Sequence, residues 1–243
     1  MTYDPSYTPA DLEAILLARK IANHETVFVG VNSPVPMAAA LMARATHAPD
    51  STLLTIAGGI NPEPVEFSAA TSGAAFAAGS ASIFDNLAFY DLVARGGIDI
   101  TFLGGAQIDR HGHVNSSFIG TQDSPKVRFP GGGGAAFILP LAKRVVIWRA
   151  AHSLRIFVEK CDFVTAAGNL ESVITPMCVF DLLRGEMVVA SRHLGVSEQS
   201  LQENTGFPLD LKGVPETMPP SAEEMDALNK ADPAGIRFSE FKT

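Results

Sequence analysis

The sequence has 243 residues, 47% hydrophobic and 18% charged, enough to bury one substantial core as a single α/β domain. A net charge of −8 with no cluster of lysine or arginine argues against nucleic acid or an anionic membrane as the main partner. No window approaches the roughly 20 apolar residues that cross a bilayer, and the N-terminus lacks a basic and apolar leader, so the expectation is a cytoplasmic protein that is not exported.

In chain order, Thr8-Pro9-Ala10-Asp11 reads as a helix start, with Thr8 as N-cap, Pro9 at the first helical position and Asp11 at N3. Leu12, Ile15, Leu16 and Ile21 keep helical spacing to an end near Asn23. Thr26 to Gly30 is a short buried strand, and Asn32 to Pro36 a loop that feeds an alanine-rich helix from Met37 to Thr46. Thr52 to Ile56 is a strand, Phe84 to Arg95 a helix, and Ile98 to Leu103 a strand that ends on Gly104-Gly105. Val145 to Trp148 and Phe163 to Thr165 are further strands. Apolar strands alternating with helices predict an open, mostly parallel sheet covered on both faces, with ligands at the carboxyl ends of the strands.

From Thr175 the pattern changes. Met177 to Phe180 and Met187 to Ala190 form an antiparallel pair joined near Arg184-Gly185, and Ser197 caps a short helix to Gly206. The α/β domain is placed at residues 1–211, and the proline- and charge-rich stretch 212–243 reads as a surface tail or an arm onto a partner. Cys161 and Cys178 lie in apolar segments without metal-ligand spacing and read as buried free thiols.

Three stretches invite chemistry. Gly131-x-Gly133-x-x-Ala136 formally fits a dinucleotide fingerprint, but Pro140 interrupts the short helix after it, and Thr121 to Pro125 before it reads as a loop. Asp109, His111 and His113 alternate as metal ligands on one strand face would, yet Gly112 favours a polar hairpin at the rim of a cleft; no metal is expected. The four glycines Gly131 to Gly134 leave their amides unshielded, either to cradle an oxyanion or to let two loops pack closely.

Taken together, Phe102-Leu-Gly-Gly-Ala-Gln-Ile-Asp109, Gly112-x-Val-Asn115 and Pro130-Gly-Gly-Gly-Gly134 resemble the β subunit of family I CoA-transferases of the glutaconate type. The resemblance runs from about Ile15 to Pro208 and includes Phe28-Val-Gly-Val, Gly195-Val-Ser and Thr205-Gly-Phe-Pro208. It implies an open α/β fold, a partner α subunit of similar fold in an α2β2 assembly, and an active site at the subunit interface. It also implies a catalytic glutamate in a Glu-Ser-Gly or Glu-Asn-Gly turn after the second strand, which carries CoA covalently. Here that turn reads Leu54-Thr-Ile-Ala-Gly58-Gly59, and Ile56 stands at the glutamate position. Isoleucine cannot form the thioester, and Asp50, Glu63 and Glu66 would need a different loop path to replace it.

The sequence looks most like the β subunits of the CoA-thioester hydrolases that open the last rings of cholesterol in steroid-degrading bacteria. That resemblance implies hydrolysis of a ring carbon–carbon bond of a cyclic β-keto acyl-CoA, with the catalytic base, a glutamate, on the α subunit. Coenzyme A is then part of the substrate, and no separate cofactor is expected. The amides of Gly132, Gly133 and Gly134 are the expected oxyanion or enolate donors. Asn32, Ser33, Ile56, Ala57, Gly58, Gly105, Gln107, Asp109, Arg128, Ala135 and Phe137 are the expected substrate or CoA contacts. The plainer roles are loop fixing for Gln107 and Asp109, helix capping for Asn32 and Ser33, and pairing with Asp123 for Arg128. A true CoA-transferase and a purely structural partner of the α subunit remain the rival readings.

Overall fold

In the computed structural model, which describes residues 6–241, Thr8 caps the first helix as predicted. Its hydroxyl accepts the Asp11 N–H at 3.2 Å and the Asp11 carboxylate accepts the Thr8 N–H at 2.8 Å, a reciprocal box that starts α1 (Pro9–Arg19). The described residues divide into two compact units, one of residues 6–102, 142–144 and 219–241, the other of residues 103–141 and 145–218.

In the first unit, α1 is followed by β1 (Thr26–Val29), α2 (Pro34–Ala45) and β2 (Thr52–Thr55). Two-residue strands follow, β3 (Gly59–Ile60) and β4 (Ser82–Ile83), then α3 (Asn86–Ala94), capped by Asp85, and β5 (Ile100–Leu103). β1 lies between β2 and β5 and runs parallel to both, with Val27 opposite Leu53 and Ile100. β3 and β4 continue antiparallel beyond β2, so β4 is an edge. Phe28 of β1 is buried against Phe89 of α3, ring centroids 4.2 Å apart; burying each such ring contributes about 1.5–3 kcal/mol. In this unit two predicted boundaries move by three residues or more. α1 stops at Arg19, short of Asn23, and α2 begins at Pro34 rather than Met37, since proline suits the first helical position. β3 and β4, two residues each, are too short for a periodic pattern to mark them.

The second unit carries β6 (Gln107–Asp109), β7 (Val114–Asn115), β8 (Phe118–Gly120), β9 (Pro125–Arg128) and α4 (Ala135–Leu141). Then come β10 (Arg144–Trp148), β11 (Phe157–Val158), β12 (Leu170–Ile174), β13 (Cys178–Leu183), β14 (Glu186–Arg192) and α5 (Glu198–Glu203). β10 and β12 are parallel, and β12, β13 and β14 are antiparallel. Arg184 and Gly185 turn the β13–β14 hairpin with φ of 54° and 81°, the two positive values a type I′ turn requires. Ser197 caps α5 as expected, and Cys161 and Cys178 are buried free thiols. Phe163 to Thr165 is not a strand: Phe163 and Val164 are exposed, and Leu170–Ile174, with four of its five residues buried, takes the place beside β10. With parallel strands and interleaved helices in chain order, the protein is α/β, as predicted.

The division at residue 211 does not hold. Residues from Pro219 onward belong to the first unit, where Ser221 and Glu224 build a second capping box at the start of α6 (Ala222–Ala231). Glu224 also pairs with Arg19 of α1 at 2.7 Å, and Arg237 is buried against Asp11. Charge, which helped mark the segment as an arm, here serves the start of α6 and long-range ion pairs; its last two residues lie outside the described ones.

Candidate functional site

The β8–β9 hairpin delivers the chain to the four glycines, so a strand does precede them, although a hairpin strand rather than the first strand of a nucleotide-binding unit. The Gly131 N–H donates to the Ser116 carbonyl at 2.9 Å. Gly131 and Gly133 have φ of 96° and 50°, the left-handed region glycine enters without penalty. Gly132 is needed for a different reason: a Cβ there would sit 2.8 Å from Thr165 Cγ2. The Gly132 and Gly134 carbonyls accept from the first turn of α4, at 2.7 Å from Ala135 N and 2.8 Å from Ile138 N. Among the described residues the N–H groups of Gly132, Gly133 and Gly134 make no hydrogen bond. They are therefore available to an oxyanion. α4 is seven residues long with Pro140 inside it, so the amides act as individual donors more than through a helix dipole.

Asn115 and Thr165 hold this loop in shape. Thr165 Oγ1 accepts the Ser116 N–H at 2.9 Å and lies 2.7 Å from Ser117 Oγ. Asn115 Oδ1 accepts the Ser117 N–H, while its amide donates to Gln107 Oε1 and to the Phe118 carbonyl, both at 2.7 Å. Gln107 is buried, and its oxygen also accepts the Asp162 N–H at 3.1 Å. Asp109 is 1% exposed; Oδ1 accepts the N–H groups of His111 and His113, and Oδ2 faces His113 Nδ1 at 3.1 Å and the Cys161 N–H at 3.3 Å. Both side chains fix loops, and their acceptors are occupied within the protein. Gly105 likewise serves close packing, since a Cβ there would meet Val114 Cγ1 at 2.6 Å. Arg128 is exposed and lies 5.5 Å from the Phe118 ring centroid; among the described residues it pairs with no carboxylate, Asp123 included. Ala135 is half-buried and Phe137 exposed, giving α4 an apolar outer surface.

The remaining predicted residues lie in the first unit, at the carboxyl ends of the adjacent parallel strands β1 and β2. Asn32 is exposed with φ of 47°. Ser33 occupies the N-cap position of α2 without capping it: its hydroxyl donates to the Val31 carbonyl at 3.1 Å, and Pro36 at N3 has no N–H to offer. The Ser33 N–H instead donates to Thr71 Oγ1, which donates to the Gly30 carbonyl at 2.7 Å. Ile56, Ala57 and Gly58 form a half-buried turn, closed by Gly58 N–H to the Thr55 carbonyl at 2.9 Å and tied to β1 by Ile56 N–H to the Val29 carbonyl at 3.0 Å. Asp50 cannot replace the missing carboxylate, because it precedes β2 while Ile56 follows it, and it already pairs with Asn23. Thr71 and Thr165 escaped the sequence reading because a single threonine in a loop carries no local signal.

A cavity of about 400 Å³ in the second unit is lined by Asp109, Arg110, His111, His113, Glu159 and Lys160, and one of about 430 Å³ in the first unit by Arg19, Met42, His47 and Glu224. Asp109 is the one predicted site residue on either wall. Among the described residues no three His, Cys, Asp or Glu side chains converge to hold a metal ion, and no helix is long and apolar enough to cross a membrane. Burial, with a smaller contribution from Asp109, pushes the Cys161 thiol up to about 12, which leaves it protonated and unreactive.

One buried histidine, His193, and one half-buried histidine, His152, weaken the second unit in acid. His193 Nε2 lies 2.7 Å from the Thr175 carbonyl, so it carries the proton, and Nδ1 accepts from Thr217 Oγ1 at 2.7 Å. His152 sits between Thr175 and Thr205 hydroxyls and stacks on Phe157. Burial lowers His193 to about 4 and, with repulsion from His193, lowers His152 to about 3. The unfolded chain protonates both near pH 6.5, so it binds more protons than the folded chain below that pH. Stability is therefore full above pH 6.5 and falls as pH drops through 4 toward 3. The denaturant midpoint is expected to fall steeply between pH 6.5 and 4 and less steeply in His193→Gln; equal slopes would remove the histidines as its cause.

Comparison with known proteins adds a family and three relatives. The coenzyme A transferase family profile matches residues 13–197. The β chain of the 3-oxoadipate CoA-transferase of Pseudomonas knackmussii is 32% identical, over 92% of this chain and 92% of its own. The IpdB chain of the cholesterol ring-cleaving hydrolase of Rhodococcus jostii is 27% identical, over 62% of this chain and 66% of its own. The crystal structure of the decarboxylase AibA/AibB superposes with a TM-score of 0.90 at 30% identity, covering 97% of this chain and 99% of that one.

Proposed function

This chain belongs to the coenzyme A transferase family as a β subunit, and we propose that it serves a heteromeric enzyme that hydrolyses a carbon–carbon bond of a cyclic β-keto acyl-CoA. Ile56 carries the reading: the turn after β2, where the family's covalent route needs a carboxylate, begins with a hydrocarbon side chain. Without that nucleophile, CoA has no acceptor on this chain, and the remaining chemistry is done on the bound thioester. The α subunit supplies a glutamate base that activates water. Water adds to the ring ketone, the ring bond breaks, and its electron pair passes to the thioester enolate, which is then protonated. The free amides at Gly132 to Gly134 are suited to the enolate oxygen, each such donor contributing about 3–4 kcal/mol to barrier lowering. Arg128, without a carboxylate partner, is available to an anionic group of the substrate. Ala135 and Phe137 give the glycine loop an apolar neighbour that suits a hydrocarbon ring, which supports the steroid form of the reading.

Decarboxylation is the second reading, favoured by the 30% identity with the decarboxylase over almost the whole chain. It uses the same enolate sink and differs in what leaves. Incubating the copurified complex with a cyclic β-keto acyl-CoA in heavy-oxygen water separates the possibilities. Hydrolysis gives a ring-opened thioester with one heavy oxygen in the new carboxylate, and intact-mass measurement finds no CoA on this chain. Carbon dioxide release from a carboxylated acyl-CoA, without ring opening, favours the second reading. A covalent CoA adduct on this chain, or transfer to an added acid, overturns both.

A further inference from the structure

From Phe67 to Phe84 the sequence holds no charged residue, yet Ser68–Ala70 and Ala81–Ile83 are exposed. Water-facing surface is normally about 25–35% charged, whereas the centres of protein interfaces are depleted in charge. The patch continues onto α3, where Leu87 and Ala88 are exposed and Phe89 and Val93 are the only buried residues. An apolar side of a helix is normally covered. Ile83 is 77% and Leu87 80% exposed, and the Asp91–Arg95 ion pair at 2.8 Å gives the far end of the helix a polar rim. β4 adds an edge strand with both side chains exposed, a feature that needs a cover.

This face is joined to the Ile56 turn. The Phe84 N–H donates to the Gly58 carbonyl at 2.9 Å, and a Cβ on Gly58 would meet the Phe84 carbonyl oxygen at 2.8 Å. We infer that β4 and the outward side of α3, centred on Ile83 and Leu87, are the docking face for the α subunit, and that docking sets the Ile56–Gly58 turn. The inference rests on the proposed function for the choice of occupant. A base must reach a turn that lacks one, and a second copy of this chain would bring another Ile56, whereas the α subunit supplies an acid.

The test coexpresses the tagged chain with its α subunit and measures how much of that partner is recovered. Wild type and Leu183→Glu, at the β13–β14 hairpin of the second unit, are expected to recover it in equal amounts, and Ile83→Lys/Leu87→Glu at least tenfold less. Both altered side chains already face solvent, so the melting temperature of the variant chain alone is expected to match wild type. Full recovery by the double variant, or loss of self-association with α-subunit recovery intact, would overturn the docking face; ring opening by such a complex would leave the proposed function standing. Loss of recovery in the double variant, with a wild-type complex that only transfers CoA, would sustain the docking face and remove the hydrolase reading.

Discussion

Arg237→Ala is expected to destabilise the first unit by about 3–5 kcal/mol, the cost of leaving buried charge without its partner. The guanidinium is 4% exposed, and each arm of it has a partner: Nε donates to Asp11 Oδ1 at 2.7 Å, Nη1 to Asp232 Oδ2 at 2.9 Å and Nη2 to Asn229 Oδ1 at 2.7 Å. Removing it leaves the Asp11 and Asp232 carboxylates, 3% and 2% exposed, without a counter-charge. Asp11 cannot turn outward, because its other oxygen accepts the Thr8 N–H and hydroxyl in the α1 capping box. The loss therefore spreads from the C-terminal segment to the first helix. Urea denaturation should show a midpoint shift of that size, with Arg237→Lys intermediate because a single ammonium nitrogen cannot reach acceptors spread over the three nitrogens of a guanidinium. A shift below about 1 kcal/mol, the range of exposed pairs, would show that the carboxylates find water.

The second large effect falls on activity. Gly132→Ala puts a methyl 2.8 Å from Thr165 Cγ2, and β-branched Thr165 cannot rotate away without losing its bonds to Ser116 N and Ser117 Oγ. The glycine loop must then shift, and displacing donors by about 1 Å costs on the order of 10²-fold in rate. In the assembled complex, kcat for ring opening is expected to fall by about that factor with KM changed little. Thr165→Ser deletes the offending methyl and keeps the hydroxyl, so Gly132→Ala/Thr165→Ser should return to within about tenfold of Thr165→Ser alone. Gly133→Ala, with open space around it and φ of 50°, should fold with a loss of about 1 kcal/mol. If Gly132→Ala and a bulky residue at position 133 both leave turnover unchanged, the amides take no part and the chain is a scaffold for the α subunit.

What could be read without a structure was what neighbours in sequence decide. Thr8 and Asp11, Ser197 and the start of α5, Arg184-Gly185 in its hairpin, and the apolar runs of β1, β2 and β10 depend on contacts a few residues long, where capping and periodicity act. The position of Ile56 just past the end of β2 also stood in the sequence, because strand and turn are local. Tertiary structure decided the rest. The last thirty or so residues look like an arm until Arg237 meets Asp11 across 226 positions of chain, a pairing no local pattern announces. Gln107 and Asp109 have the chemistry of ligand-binding residues and become loop anchors once Asn115, Asp162 and Cys161 fold onto them. The glycines could be recognised as glycines, but the reason differs at each: backbone sign at Gly131 and Gly133, and a threonine methyl from a distant loop at Gly132. Sequence determines local geometry because short-range sterics and hydrogen bonds are strong; which polar groups stay free for chemistry depends on which distant partners the fold brings to them.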